Sequence, residues 1–298
     1  MVEKEQGDPQ PPLARPSRLN SQALLVAVLA DYSFSSAGEF PSAAIVDVMG
    51  EFGVSAAGAR VALSRVAKGG TLVQLRHGRN TSYALNEEGL AQREARLRGY
   101  LRFGASGHAW DGKWTIVFFT IPEEDRGLRP RFRRELEKLR LASLADAVWV
   151  QPADVGEAVA RIGAELGVGL AVVRGEFQHA ELSHFQPMDA FDLDRMRAGY
   201  DDFVVEYEPW VERMLAGRVA PTQALVLRTN ALAHWRDLVR VDPELPSELL
   251  PDDWPLNHAR GVFLQLWEGL GDLALGRLRG IVGRHDPQLA AHLRLRVR

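Results

Sequence analysis

Arg60, Ser64 and Lys68 recur every four residues in the stretch VSAAGARVALSRVAKGG. On a helix that spacing gathers them on one face, which then offers hydrogen-bond donors and positive charge. Ser55 precedes the face and Arg65 lies at its edge. Directly downstream, RHGRN brings Arg76, His77, Arg79 and Asn80 together between two short alternating segments. From Val54 to Leu85 there is no Asp or Glu, in a chain whose net charge is −3. The chemistry open to such a set is recognition of a polyanion. Ser55, Arg60 and Ser64 suit base edges in a major groove, Lys68 a phosphate, and Arg76 and Arg79 phosphate or minor groove. A winged helix used only for protein contacts, with these residues as solvated surface, is the alternative.

A second set lies in the C-terminal third. His234 and Arg236 flank Trp235, with Arg228 two turns earlier, and Tyr200, Trp254 and His258 add aromatic or polar groups that could meet a ligand. The plainer reading is that Trp235, Trp254 and Trp267 fill the core and His234 is a satisfied interior or interface residue. No Gly-rich phosphate loop, nucleophile elbow or His-metal spacing occurs. The chain contains no Cys, which excludes disulfides, thiolate metal sites and Cys nucleophiles. Neither a catalytic residue nor a metal site nor a cofactor is expected.

The elements that would position these residues follow from length and patterning. The chain has 298 residues, 46% hydrophobic and 25% charged, which suits a globular protein of two or three domains. No apolar run reaches the ~18 residues of a membrane span. Residues 1–18, polar and Pro-rich, lack the apolar core of a signal peptide and read as a disordered tail of a cytoplasmic protein.

Residues 19–104 read as a winged helix-turn-helix. Asn20 or Ser21 caps a helix carrying Ala23, Leu24, Val28 and Leu29. Pro41 begins a second helix faced by Ile45, Val48, Met49 and Phe52, and Gly53 ends it. Ser55 caps the third, in which Ala59, Ala62, Leu63 and Val66 face the core. Gly58 inside that helix costs about 1 kcal/mol against Ala, which suggests close approach to a neighbouring helix or to DNA. Thr71–Leu75 and Thr81–Leu85 form the wing, and Asn86 caps a fourth helix with Glu87 and Glu88 at its positive end.

Residues 105–182 have the order β-α-β-β-α-β of a ferredoxin-like sandwich. The expected strands are Trp114–Ile121, Ser143–Leu144, Val148–Val150 and Gly169–Gly175; the expected helices are Leu128–Leu139 and Asp154–Leu166. Small CRISPR-associated endoribonucleases share this layout and place an Asp at the end of the first strand, where this chain has Thr120. Glu123, Glu124 and Asp125 follow Pro122 as a solvated turn. A metal-dependent nuclease is therefore the alternative, and a scaffold or dimer interface the preferred reading.

Residues 183–298 read as a helical domain. It holds one long or Pro209-kinked helix, a second from TQALVLRTNALAHWRDLVRVD, and a third long one from HARGVFLQLWEGLGDLALGRLRGIVG. The Pro-rich segment VDPELPSELLPDDWP must be an extended connector. The whole is an α+β protein of three domains.

With these residues in place, the chain resembles the PaaX family of bacterial transcriptional repressors over about Leu19 to Val282. The resemblance is carried by VSAAGARVALSRVAKGG with the GRNTSYAL wing, by WDGKWTIVFFTIPEEDR, and most specifically by LRTNALAHWRDLVRVDPELPSELLPDDWP. It implies a homodimer that binds a palindromic double-stranded DNA operator of an aromatic-acid catabolic operon. It also implies release by an aryl-CoA thioester such as phenylacetyl-CoA, and we expect that ligand to bind where the C-terminal helices meet the middle domain. Arg228, Arg236 and Arg277 are then the candidates for its phosphates.

Overall fold

The Asn20 side chain accepts hydrogen bonds from the backbone N–H groups of Gln22 and Ala23 and so caps α1 (Ser21–Asp31). The structure, a computed structural model, describes residues 19–32, 39–78, 80–105, 109–178 and 186–295. The expected tail, 1–18, lies outside them. The chain divides into two units: Met1–Phe103, Asp201–Val239 and Asn257–Arg298 form the first, Gly104–Tyr200 and Arg240–Leu256 the second.

In the first unit, β1 (Phe40–Pro41) leads into α2 (Ser42–Glu51), and α3 (Ala56–Lys68) follows a turn through Gly53. Pro41 is therefore the residue before α2 and not its first helical residue, because its backbone is held in a strand. Phe40 and Pro41 pair with Tyr83 and Ser82. The hairpin is β2 (Leu72–His77) and β3 (Asn80–Leu85), with His77 opposite Asn80 at the tip, and the sheet order is β1-β3-β2. Helices α1, α2 and α3 pack together over Leu24, Leu25, Ile45, Val48, Met49 and Leu63, all buried. Such burial stabilises by roughly 1.5–3 kcal/mol per large apolar side chain.

Helix α4 (Glu87–Arg102) follows the hairpin. The unit is completed by the later part of α7 (Leu193–Leu215), α8 (Pro221–Val241), α9 (Leu256–Gly269), α10 (Gly271–Val282) and α11 (Pro287–His292). Their interior is aromatic. Trp235 and Phe263 stack with centroids 5.0 Å apart, and the Trp235 indole N–H donates to the Tyr100 carbonyl at 2.9 Å. The single third helix expected from the sequence is two helices, broken at Leu270. Gly269 and Gly271 flank the break, and each sits where a Cβ would collide with a neighbouring side chain, Met214 and Leu295 respectively.

The second unit contains β4 (Trp114–Thr120), a 3-10 turn (Glu123–Leu128), α5 (Arg129–Lys138), β5 (Ala142–Ala145), β6 (Val148–Gln151), α6 (Gly156–Leu166) and β7 (Gly169–Gly175). The strand order is β5-β6-β4-β7, every neighbour antiparallel. β4 is an inner strand, which is why its sequence is nearly continuous in apolar residues. Val117 and Phe119 on β4 pack with Phe132 and Leu136 of α5 and Val159 of α6. Trp114 and Val150 pack with Phe191 and Leu245 in a second cluster. The segment 242–255 is non-helical apart from a 3-10 turn at Ser247–Leu249, as its prolines require.

Candidate functional site

Helix α3 is split cleanly between interior and solvent. Ala59, Ala62, Leu63 and Val66 are buried, whereas Arg60, Val61, Ser64, Arg65 and Lys68 are exposed. Among the described residues none of Arg60, Arg65 and Lys68 has an acidic partner, so the whole cationic face is free to meet a ligand. Val61, 49% exposed, stands in the middle of it. Its methyl groups suit a thymine methyl in a major groove. Reading the face for donors and charge alone misses this residue.

Ser55 caps α3: its Oγ accepts from the Gly58 backbone N–H at 3.1 Å. Its proton is left to donate outward. A Cβ on Gly58 would lie 3.2 Å from that Oγ, so the glycine serves the helix's own cap and not a neighbouring helix. Arg76 on β2 and Asn80 on β3 are exposed. His77 ends β2, but its side chain, like all of Arg79, lies outside what is described.

The unit is held from behind by charged ties. Arg277 on α10 donates two hydrogen bonds to the Glu51 carboxylate on α2, at 2.8 and 2.9 Å. His285 lies 2.8 Å from Asp47, also on α2. Arg228 on α8 pairs with Asp31 on α1, donates to the Trp267 carbonyl at 3.0 Å, and lies over the Trp267 ring. Arg228 is 1% exposed. Arg228 and Arg277 are thus committed to holding the fold, and neither offers a free cation to phosphate.

The other ligand candidates are scattered. His234 is buried, its Nδ1 3.4 Å from Glu206 and its ring against Phe203 and Tyr207. His258 is exposed and 2.9 Å from Glu208. Tyr200 and Trp254 belong to the second unit. There the Tyr200 hydroxyl donates to Asp242 at 2.6 Å, and Arg197 covers Trp254. Burial raises both the Tyr200 phenol and the Asp242 carboxyl.

Arg236 is different. It lines an open-mouthed cavity of about 150 Å³ between α1, α4 and α8 in the first unit. Arg93 and Arg96 from α4 join it there, two arginines the sequence reading did not single out. The available signal was that Arg93, Leu97 and Tyr100 fall at i, i+4 and i+7, which puts an arginine in an apolar stripe.

In the second unit Thr120 ends β4, exposed, and Glu123 pairs with Arg126 at 3.3 Å. Among the described residues no three His, Asp or Glu side chains converge as a metal site would need. Among them, too, no helix is long and apolar enough to cross a membrane.

Comparison with known proteins places this architecture. The family description "PaaX-like protein" matches residues 20–89, "PaaX protein central Cas2-like domain" residues 107–186, and "PaaX-like protein C-terminal domain" residues 191–278. The transcriptional repressor PaaX of Escherichia coli K12 is 27% identical over 224 residues, covering 72% of this chain and 69% of that one. A solved structure of an uncharacterized protein from Mycobacterium tuberculosis is similar in fold, with a TM-score of 0.50 at 23% identity over 84% of this chain and 94% of that one. A matching N-terminal unit, a Cas2-like centre and a dedicated C-terminal domain, in this order, define a regulator and not an enzyme. The chain belongs to the PaaX family of transcriptional regulators.

Proposed function

We propose that this protein is a DNA-binding transcriptional repressor of an aromatic-acid operon of the phenylacetate type, released from its operator by an aryl-CoA thioester such as phenylacetyl-CoA. The exposed face of α3, basic and, among the described residues, free of acidic partners, carries the reading. The similarity to a transcriptional repressor supports it. The first unit then works as a winged helix-turn-helix. Arg60, Val61 and Ser64 read base edges, Lys68 meets a phosphate, and Arg76 and Asn80 on the hairpin meet the backbone or the minor groove. The second unit, with its central strands ordered as in a ferredoxin-like sandwich, serves as scaffold. A homodimer sets two α3 helices one DNA turn apart, or a multiple of it, on a palindromic site. An effector releases it only by binding the DNA-competent arrangement less tightly than another.

A mobility-shift titration against DNA upstream of its own gene and of neighbouring operons, with and without phenylacetyl-CoA, tests this. A sequence-specific shift that the thioester abolishes is expected. A specific shift indifferent to the thioester discards the effector. Salt-sensitive binding without sequence preference discards the repressor.

A further inference from the structure

Between Phe40 and Leu85, the stretch that holds α2, α3 and the wing, the sequence contains two acidic residues, Asp47 and Glu51. They lie four positions apart on α2 and so share one of its faces. Glu51 is the last residue of the helix and Asp47 stands one turn before it. A helix is negative at its C-terminal end, so α2 by itself disfavours a carboxylate there. No basic residue on α2 offsets either acid.

The offset comes from the C-terminal helices of the same unit. Arg277 on α10 donates to both oxygens of Glu51, whose side chain is 14% exposed. Arg284 and His285, in the turn between α10 and α11, lie 3.4 and 2.8 Å from one oxygen of Asp47. The platform carrying these groups is itself fixed. The His285 backbone N–H donates to the Val282 carbonyl at 2.9 Å, Asp286 caps α11, and Arg279 donates to the Leu293 carbonyl at 2.7 Å. Leu278, Ile281 and Val282 bury the inner face of α10. A bidentate pair between a rigid platform and a helix end sets direction as well as distance.

The end of α2 is coupled tightly to the reading helix. From Glu51 the chain reaches Ser55, the cap of α3, through a turn of little freedom. The N–H groups of Phe52 and Val54 both donate to the Met49 carbonyl at 3.2 Å, and that of Gly53 donates to the Gly50 carbonyl at 3.0 Å. A displacement of the end of α2 is therefore passed to the start of α3. We propose that Arg277, with Arg284 and His285, is a positioning residue for DNA reading: α10 and the turn after it hold α2, and through it α3, at the angle at which Arg60 and Ser64 meet base edges. That the hold serves DNA reading rests on the proposed repressor function; that it fixes α3 does not.

The test uses the full-length protein as wild type, Arg277→Met, the double variant Glu51→Gln/Arg277→Met, and the reversed pair Glu51→Arg/Arg277→Glu. Mobility shifts compare the DNA upstream of its own gene with a random duplex of equal length, and hydrogen exchange follows the backbone amides. Arg277→Met should bind the upstream DNA about tenfold more weakly, as expected when base contacts are misplaced. It should bind the random duplex nearly as before, because every cation of the α3 face is still present. Its α3 amides should exchange about tenfold faster while those of α8 and β4 keep the wild-type rate, which separates a loosened helix from a destabilised unit. The reversed pair restores the tie and should recover both values. Glu51→Gln/Arg277→Met should recover neither, whereas a lone Glu51 carboxylate that merely repelled DNA would be cured by it. Recovery in that double variant, or wild-type specific affinity or wild-type α3 exchange in Arg277→Met, overturns the proposal. If the wild type itself shows no sequence-specific shift, the repressor reading falls, and α3 exchange still decides whether α10 holds the helix.

Discussion

Arg228 on α8 and Asp31 at the end of α1 form an ion pair closed to solvent, 197 positions apart in the chain. The pair ties a helix of the N-terminal bundle to the C-terminal helices within one unit. Removing one partner strands the other in the interior, which typically costs about 3–5 kcal/mol. Arg228→Met and Asp31→Asn should each lower stability on that scale in chemical denaturation, and the double variant should lose less than the sum.

The same pair gives a pH prediction for Arg228→Met. Burial raises the Asp31 carboxyl, and the Arg228 guanidinium opposes that rise. Without Arg228 the folded-state value climbs further above the unfolded one. The folded state then holds a proton that the unfolded state has released, so stability falls as pH rises. The variant's deficit should be small below the unfolded Asp value of about 3.9 and grow through weakly acidic pH. A deficit equal at all pH values would mean that Arg228 contributes packing over Trp267 and not charge.

On the α3 face the residues should separate by role. Arg60→Ala should cost roughly 1–3 kcal/mol of operator affinity and relax the sequence preference. Lys68→Ala should weaken binding to all sequences alike and make the salt dependence shallower by about one unit of slope. Mobility shifts at several salt concentrations distinguish the two patterns. Equal loss on specific and random DNA for Arg60→Ala would remove it from base reading.

Asp47 predicts an acid limb. A hydrogen bond from His285, and secondarily Arg284, holds its carboxyl below the ordinary range. A depressed folded-state value means a contribution present above the unfolded value of about 3.9 and lost as pH falls through the folded one. Asp47 is partly exposed, so the contribution stays under about 1 kcal/mol. His285→Ala should therefore lose stability at neutral pH by that much and match the wild type near the bottom of the acid range, as denaturation curves across the range would show.

How far the sequence reveals this molecule depends on the range of the interactions concerned. The two faces of α3 follow from periodicity alone, because each residue's neighbours lie three and four positions away. The strands around β4 are legible from short apolar runs bounded by turn residues. The two-residue strand at Phe40 and Pro41 is not, since only its pairing with Tyr83 and Ser82 creates it. The need for glycine on both sides of Leu270 comes from Met214 and Leu295, which approach from elsewhere in the chain. Arg228 and Arg277 look like free cations in sequence because Asp31 and Glu51 are some two hundred residues away. Arg93 reads as a solvated helix position until α1 and α8 pack beside it and leave it half-buried.

The link between reading helix and wing turns on Gly70. It follows α3 with φ of 75°, and its carbonyl accepts from the Asn86 side-chain amide at 2.9 Å, bracing the start of the hairpin against its end. A Cβ at Gly70 meets nothing within 4 Å, so the only penalty for a side chain is the left-handed backbone. Asn tolerates that conformation better than Ala, and a β-branched residue tolerates it worst. Unfolding midpoints should therefore fall in the order wild type, Gly70→Asn, Gly70→Ala, Gly70→Val, with Ala costing about 1 kcal/mol. Operator affinity should fall in the same order and by more than stability, because the substitution also alters the angle between the wing and α3. Affinity that stays at the wild-type value while stability drops would show that the wing contributes little to DNA binding.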